Sequence, residues 1–365
     1  MATTLPVARD FRDELLRRGG EGAARCFQCA TCSTVCDLAS AHSMFPRRQI
    51  LWAQWGLLDR LRADPAIWLC HQCNDCTARC PRDARPGDTL QAVRSILIED
   101  AGRPRFMARL VAHSRTTWPL LLGAPILFWA LFVQAVHGFS PLPQPLVYSQ
   151  VVPHWMIDVV LVPAAAFAAF AALAGARRAW TAWGAPGGLP RGLLSVAGDI
   201  LAHRSFEKCG AARPRRLGHM MLAWGFVGGI LTTTSVAVAE YGFGMHLPMR
   251  QYNPLKILGN VSAVLLAAGA IWLLVNRLRN ARAAGSSRAF DNFFLALVLL
   301  VIFSGIGAEA GRLLLPAVPA VAIYLVHLGS ILALFVTFPF SKFAHALYRT
   351  LALAHDRLAP QRSSS

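Results

Sequence analysis

From residue 118 onward the chain alternates between long apolar runs and polar connections. Six runs, over 118–137, 155–176, 217–239, 257–276, 293–311 and 320–344, approach or exceed the roughly 20 apolar residues that cross a bilayer. Backbone polar groups in hydrocarbon must bond internally, so each run is predicted to be helical. Pro163 and Pro339 fall inside runs and are expected to kink them. The first 115 or so residues read differently, with charged positions interleaved among short apolar stretches. Within them, Ile50, Leu51, Trp55, Leu58 and Leu61 recur at helical spacing across 45–67, which predicts a helix-rich spacer. A further amphipathic helix, near 193–206, is expected on the membrane surface. The expected fold class is all-α: a helical head over 1–115, a six-helix transmembrane bundle over 116–350 and a tail over 351–365.

Composition agrees with a membrane chain. Apolar residues make up 55% of it and charged residues 15%, and mean hydropathy is +0.42. The formal charge of +17 would suit a nucleic-acid binder, so its placement matters. The head carries 17 Arg, no Lys and 12 acidic residues. Alternate connections are basic and poor in basic residues, so 33 of the 36 Lys and Arg fall on one side of the six runs. By the positive-inside rule that side is the cytoplasm. Both termini are therefore expected to face the cytoplasm across an inner membrane, and no nucleic-acid partner is expected. The N-terminal stretch lacks the apolar core of a signal peptide, which agrees.

Eight of the nine cysteines lie in the head, as Cys26-Phe-Gln-Cys29-Ala-Thr-Cys32-Ser-Thr-Val-Cys36 and Cys70-His-Gln-Cys73-Asn-Asp-Cys76-Thr-Ala-Arg-Cys80-Pro81. Both have the bacterial ferredoxin spacing for [4Fe–4S] clusters, in which the fourth cysteine of each run ligates the other cluster. One cluster is thus assigned to Cys26, Cys29, Cys32 and Cys80, and the other to Cys70, Cys73, Cys76 and Cys36. The head then reads as an α-helical ferredoxin-like domain. Zinc would need only paired cysteines, and disulfides are disfavoured in the cytoplasm. The first run has Asp37 where the second has its proline, but proline is not a ligand. Cys209, alone in the loop 177–216, reads as an ordinary reduced thiol.

Ionisable groups inside spans are costly and point to function. His327 and His345 are 18 residues apart on the last run, five whole turns and about 27 Å if the helix is continuous. That would put both on one face, with His345 at the cytoplasmic edge. His219 opens the third run from the same side. His219 and His345 are therefore expected to face each other and hold a haem b iron. His327 is a candidate for a second haem, partnered by His137, His154 or His246, or for hydrogen bonding a quinone. Asp158, Glu240 and Glu309, in the outer parts of spans, either relay protons or cap helices.

The CFQCATC and LCHQCNDCTARCP motifs resemble the C subunit of heterodisulfide reductase. The membrane half is similar to the gamma subunit of nitrate reductase, which is a dihaem cytochrome b, at Gly218-His219 and at the His327/His345 pair. The fusion order resembles the C subunits of quinone-interacting membrane-bound oxidoreductase (Qmo) complexes of sulfur metabolism. The gamma-subunit pattern has a second histidine ten residues after the first; here Gly229 stands there. The resemblance implies a quinone-linked electron-transfer protein whose cytoplasmic partners carry flavin and iron–sulfur groups, like the A subunit of heterodisulfide reductase. The chain itself has neither a Gly-x-Gly-x-x-Gly dinucleotide turn nor a Cys-Cys-Gly motif. Two alternatives stand beside that reading. One is a menaquinol-oxidising role serving a sulfite-reductase or heterodisulfide-type catalytic partner. The other is a membrane-anchored metal-binding scaffold or redox sensor.

Overall fold

A computed structural model describes residues 6–40, 43–138, 142, 145–204, 213–245, 247–279 and 288–358. Cys209 and His246 lie outside the described residues. The fold is all-α: among the described residues the only β pairing is an isolated bridge between Ser40 and Ser43.

The head contains α1 (Arg9–Leu15), α2 (Thr31–Thr34), α3 (Arg47–Gln54), α4 (Leu58–Arg62), α5 (Ala66–Leu69), α6 (Asp75–Ala78), α7 (Pro86–Ala101) and α8 (Arg105–Ala112). Pro86 opens α7, where its fixed φ suits the first turn and its missing N–H is no loss. Helix α7 then buries Leu90, Ala92, Val93, Ile96, Leu97 and Ile98 and forms the spine of the head. The spacer is helix-rich, formed mainly by α3 and α4. Gly56, at φ +69°, reverses the chain between α3 and α4. Ile50 and Leu61 are buried on either side of that turn, while Trp55 stays exposed.

Six helices are long and apolar enough to cross a membrane. They are α9 (Ser114–His137), α10 (His154–Ala182), α12 (Arg213–Phe243), α13 (Pro254–Arg279), α14 (Ala289–Leu314) and a last unit over Ala317–Leu358. Helix α11 (Leu189–Leu201) lies between α10 and α12. Helix α10 runs through Pro163. Apolar side chains such as Phe170, Leu173, Ile230, Leu314 and Val318 point outward, as a lipid-facing surface requires. Helices α12 and α13 meet through small residues. A Cβ built on Gly269 would lie 2.7 Å from the Gly218 carbonyl oxygen and 2.7 Å from the Leu222 nitrogen, so only glycine allows this approach.

Two expectations are corrected. The last run is not one continuous helix: α15 (Ala317–Thr337) ends in a 3₁₀ turn, Phe338–Phe340, and α16 (Ala344–Leu358) begins after it. Pro339 cannot continue the α-helical hydrogen bonding. The Ser341 hydroxyl then accepts the Phe343 N–H at 3.3 Å and opens a new helix. His327 and His345 therefore lie on different helices. The amphipathic helix forms at Leu189–Leu201 and packs against α16: Gly192 makes room for Leu358, and Arg357 reaches Asp199 at 3.1 Å.

Helix α16 enters the core of the head. Tyr348, Leu351 and Ala352 pack in one cluster with Trp68, Val93 and Leu97, and Ala176 and Trp183 join them from α10 and its end. The Tyr348 and Trp68 rings stack with centroids 4.6 Å apart.

Candidate metal centres

The two cysteine runs fold alike. Each begins with an extended cysteine, Cys26 or Cys70. Left-handed residues follow two and four positions later, at Gln28 and Ala30 and at Gln72 and Asn74. A single helical turn comes next, α2 or α6. This alternation curls the backbone into a concave shell with N–H groups turned inward, a shape suited to an anionic cluster. The Gln28 N–H donates to Cys26 Sγ at 3.5 Å, the Gln72 N–H to Cys70 Sγ at 3.4 Å and the Ala84 N–H to Cys80 Sγ at 3.3 Å.

Two small cavities result. Cys26, Cys29, Cys32 and Cys80 line one, with Arg47 and Pro81 on its wall. Cys36, Cys70, Cys73 and Cys76 line the other. Each gathers three cysteines from one run and the fourth from the other. Burial pushes the Cys36 thiol up to about 11 and raises Cys76 as well. Cys29 is exposed, and the Thr31 hydroxyl lowers its thiol. None of the eight forms a disulfide. Four-cysteine pockets of this kind suit [4Fe–4S] clusters, whose iron draws the ligands into the thiolate form.

A larger cavity, of about 870 Å³, joins the head to the membrane helices. Its volume is typical of sites that take a whole organic ligand, about 300–1,000 Å³. Cys70, His71 and Gln72 line one side, His219 and His345 the other, and Leu222, Phe226, Phe294 and Phe343 supply an apolar wall. The two imidazole rings lie 6.2 Å apart between centroids, with their planes at 80°. Two imidazoles on opposite sides of one metal ion have ring centres about 6 Å apart, given metal–nitrogen bonds of about 2 Å. The His345 Nδ1–H donates to the Lys342 carbonyl at 2.5 Å. The Nδ1 of His219 lies 3.0 Å from Nε2 of His203. Engagement of the outer ring nitrogen is the usual support of a metal-bound histidine. Burial and the charges of Arg216 and Arg349 lower the His203 pKa and favour its neutral ring.

His327 does not line this cavity. It sits between α14 and α15, its Nδ1 3.1 Å from the Ser304 hydroxyl, over Gly305. His137 donates to the Val151 carbonyl at 3.0 Å, and His154 pairs with Glu240 at 2.6 Å. Glu309 pairs with Lys256 at 2.8 Å, and Tyr241 donates to Asp158.

Sequence reasoning missed the groups that hold the loop around Cys70. Arg94 donates to the Ile67 and Cys70 carbonyls at 2.9 and 3.0 Å. Arg349 donates to the Leu69 and Cys70 carbonyls at 3.0 and 3.2 Å and lies 2.9 Å from His71 Nδ1. Arg215 donates to the Gln72 carbonyl at 2.8 Å. Arg215 and His219, like His345 and Arg349, are one helical turn apart. His219 and His345 thus each share a helix face with an arginine that grips the cysteine loop. The i, i+4 spacing was visible in the sequence, but its target was not.

Comparison with known proteins agrees with this architecture. Residues 22–84 match the 4Fe-4S dicluster domain family, and residues 148–365 match the family of Citrate utilization protein B. The C subunit of the H(2):CoB-CoM heterodisulfide,ferredoxin reductase of Methanothermobacter thermautotrophicus is 32% identical over 102 residues, 28% of this chain and 53% of that protein. A protein of Archaeoglobus profundus, described as like the C subunit of heterodisulfide reductase, is 35% identical over 83 residues, 22% of this chain and 44% of that protein. The chain therefore spans about half the length of these relatives. Citrate utilization protein B of Escherichia coli is 27% identical over 311 residues, 78% of this chain and 79% of that protein. No solved structure matches the chain. The head is a dicluster iron–sulfur domain related to the C subunit of heterodisulfide reductase, with eight cysteines for two [4Fe–4S] clusters. With its helical membrane half matched from residue 148 to the end, the chain belongs to the Citrate utilization protein B family.

Proposed function

We propose that the chain carries electrons between the membrane quinone pool and a cytoplasmic flavin-containing oxidoreductase, through haem b and two [4Fe–4S] clusters. One observation carries this reading: a single cavity is lined by the Cys70 loop and by the His219–His345 pair. When bound, the clusters and the haem supply one-electron carriers. The residues supply position and charge. Cys26, Cys29, Cys32 and Cys80 would hold one cluster near the surface, where Cys29 is exposed. Cys70, Cys73, Cys76 and Cys36 would hold the other against the membrane helices. His219 and His345 would hold the haem iron, and the phenylalanine wall would exclude water from it.

The likeness to nitrate reductase gamma and Qmo C subunits supports a quinone as the membrane substrate. The same likeness supports a partner resembling the A subunit of heterodisulfide reductase, in sulfur or anaerobic energy metabolism. A second reading of the partner is favoured by the longer match. Citrate utilization protein B aligns with 78% of this chain, which supports a partner that acts in citrate utilization. The concentration of positive charge supports a cytoplasmic position for the head, 1–115. His327 is retained as a second-haem ligand or a hydrogen-bond partner of a quinone on the strength of its place between two membrane helices, beside Ser304 and Gly305.

The test is spectroscopic. Purified protein should be brown-red, with a reduced haem b band and cluster signals in electron paramagnetic resonance; a colourless protein would overturn the proposal. His219→Ala and His345→Ala should each remove that haem and leave the cluster signals. Full haem content in both variants would refute the ligand assignment.

A further inference from the structure

His203, on the turn after α11, was not singled out by the sequence pattern, yet the hydrogen bonds around it assign the protons of the histidine pair. A backbone carbonyl only accepts. The Lys342 carbonyl, 2.5 Å from His345 Nδ1, therefore fixes a hydrogen there and leaves the lone pair of that ring on Nε2. The Leu201 carbonyl, 3.3 Å from His203 Nδ1, does the same for His203. With its hydrogen on Nδ1, His203 presents a lone pair at Nε2, 3.0 Å from His219 Nδ1, so His219 is the donor. His219 is thereby held in the tautomer of His345, with its lone pair on Nε2, the form that binds a metal. The opposite tautomer of His203 would drive a proton onto Nε2 of His219 and block ligation.

The turn is built to keep His203 there. Its backbone is left-handed, at φ +52°, a conformation sparsely used by residues with a side chain. Arg216, three residues before His219 on α12, donates to the Ala202 carbonyl at 3.0 Å and ties the turn to the ligand helix.

We propose that His203 is a positioning residue for His219: the chain from the Leu201 carbonyl through His203 to His219 fixes the ligand tautomer and raises its basicity toward the haem iron. This rests on the haem reading of the His219–His345 pair. A more basic ligand stabilises ferric iron, so His203 holds the haem potential down.

The experiment is a redox titration with electron paramagnetic resonance on the full chain and on His203→Ala, His203→Gln and His203→Glu. A wild-type protein without a low-spin haem b signal overturns the haem reading itself. With that signal present, His203→Ala should raise the midpoint potential and alter the ferric g-values. His203→Gln, whose amide oxygen still accepts from Nδ1–H, should return both toward wild type. His203→Glu, a charged acceptor, should fall below wild type. The Ala-to-Glu range should reach about tenfold in the redox equilibrium, or about 59 mV for one electron. Wild-type potential and g-values in His203→Ala overturn the proposal, as does a Gln shift equal to that of Ala. If the alanine variant does not fold, Gln and Glu decide between them: equal potentials overturn it.

Discussion

Cys36 is one of the buried thiols whose ionisation bears on the iron-free head. Burial sets its thiol at about 11, against an ordinary value of 9.0. A raised folded-state value favours the protonated thiol in the native head. The stability this contributes is whole below about pH 9 and is lost as pH rises through about 11. Iron-free protein should therefore unfold at lower denaturant concentration at pH 10 than at pH 8, and Cys36→Ala should weaken that dependence without abolishing it, because burial raises the Cys76 thiol as well. Cluster-loaded protein, whose cysteines are already thiolates, should not share the loss. Circular dichroism in urea across this range checks all three.

At the scale of elements, the contact between α12 and α13 sets where His219 stands. Gly218, its neighbour, lies against Gly269 at a separation no side chain allows. Gly269→Leu should push the two helices apart, displace His219 and lower the haem-to-protein ratio while leaving cluster absorbance unchanged. Haem content at the wild-type level would show that the pair tolerates the wider spacing. The elements also show what a sequence can and cannot disclose. Apolar run length and cysteine spacing are local properties, so the six spans and the two motifs were readable. Pro339 marked a disturbance in the last run, but whether it kinked or broke the helix depended on Ser341 capping a new one. His203 was unreadable because its importance lies in a contact across 16 residues of chain, between a turn and a helix end. The three arginines on the Cys70 loop come from α7, α12 and α16, and only tertiary packing brings them to the carbonyls of one loop.

For the whole molecule, the head and the bundle share a core rather than a linker. Tyr348 is its keystone, buried in α16 and stacked on Trp68 of the head. Truncating a buried aromatic costs about 3–5 kcal/mol. Tyr348→Ala should therefore loosen the head from the membrane half, seen as faster proteolysis of the head in detergent-solubilised protein. Unchanged cleavage would mean that the remaining contacts suffice. The charge distribution makes a second claim at this scale. With 33 of 36 basic residues on one side, a fluorescent reporter fused to the C-terminus should fold and glow in the cytoplasm, and an alkaline phosphatase fused there should stay inactive.

The arginine grip on the Cys70 loop has a consequence for rate. Three guanidinium groups already hold the carbonyls of residues 67–72, so the dipoles around the inner cluster are fixed before any electron arrives. A preoriented polar shell has little rearranging to do when the charge beside it changes by one. On the proposed function such a shell keeps the reorganisation energy at this junction small, and a small reorganisation energy speeds forward and reverse transfer alike. On the proposed function the junction is a conductor without a built-in direction, and the potentials of the redox couples at its two ends decide which way current runs.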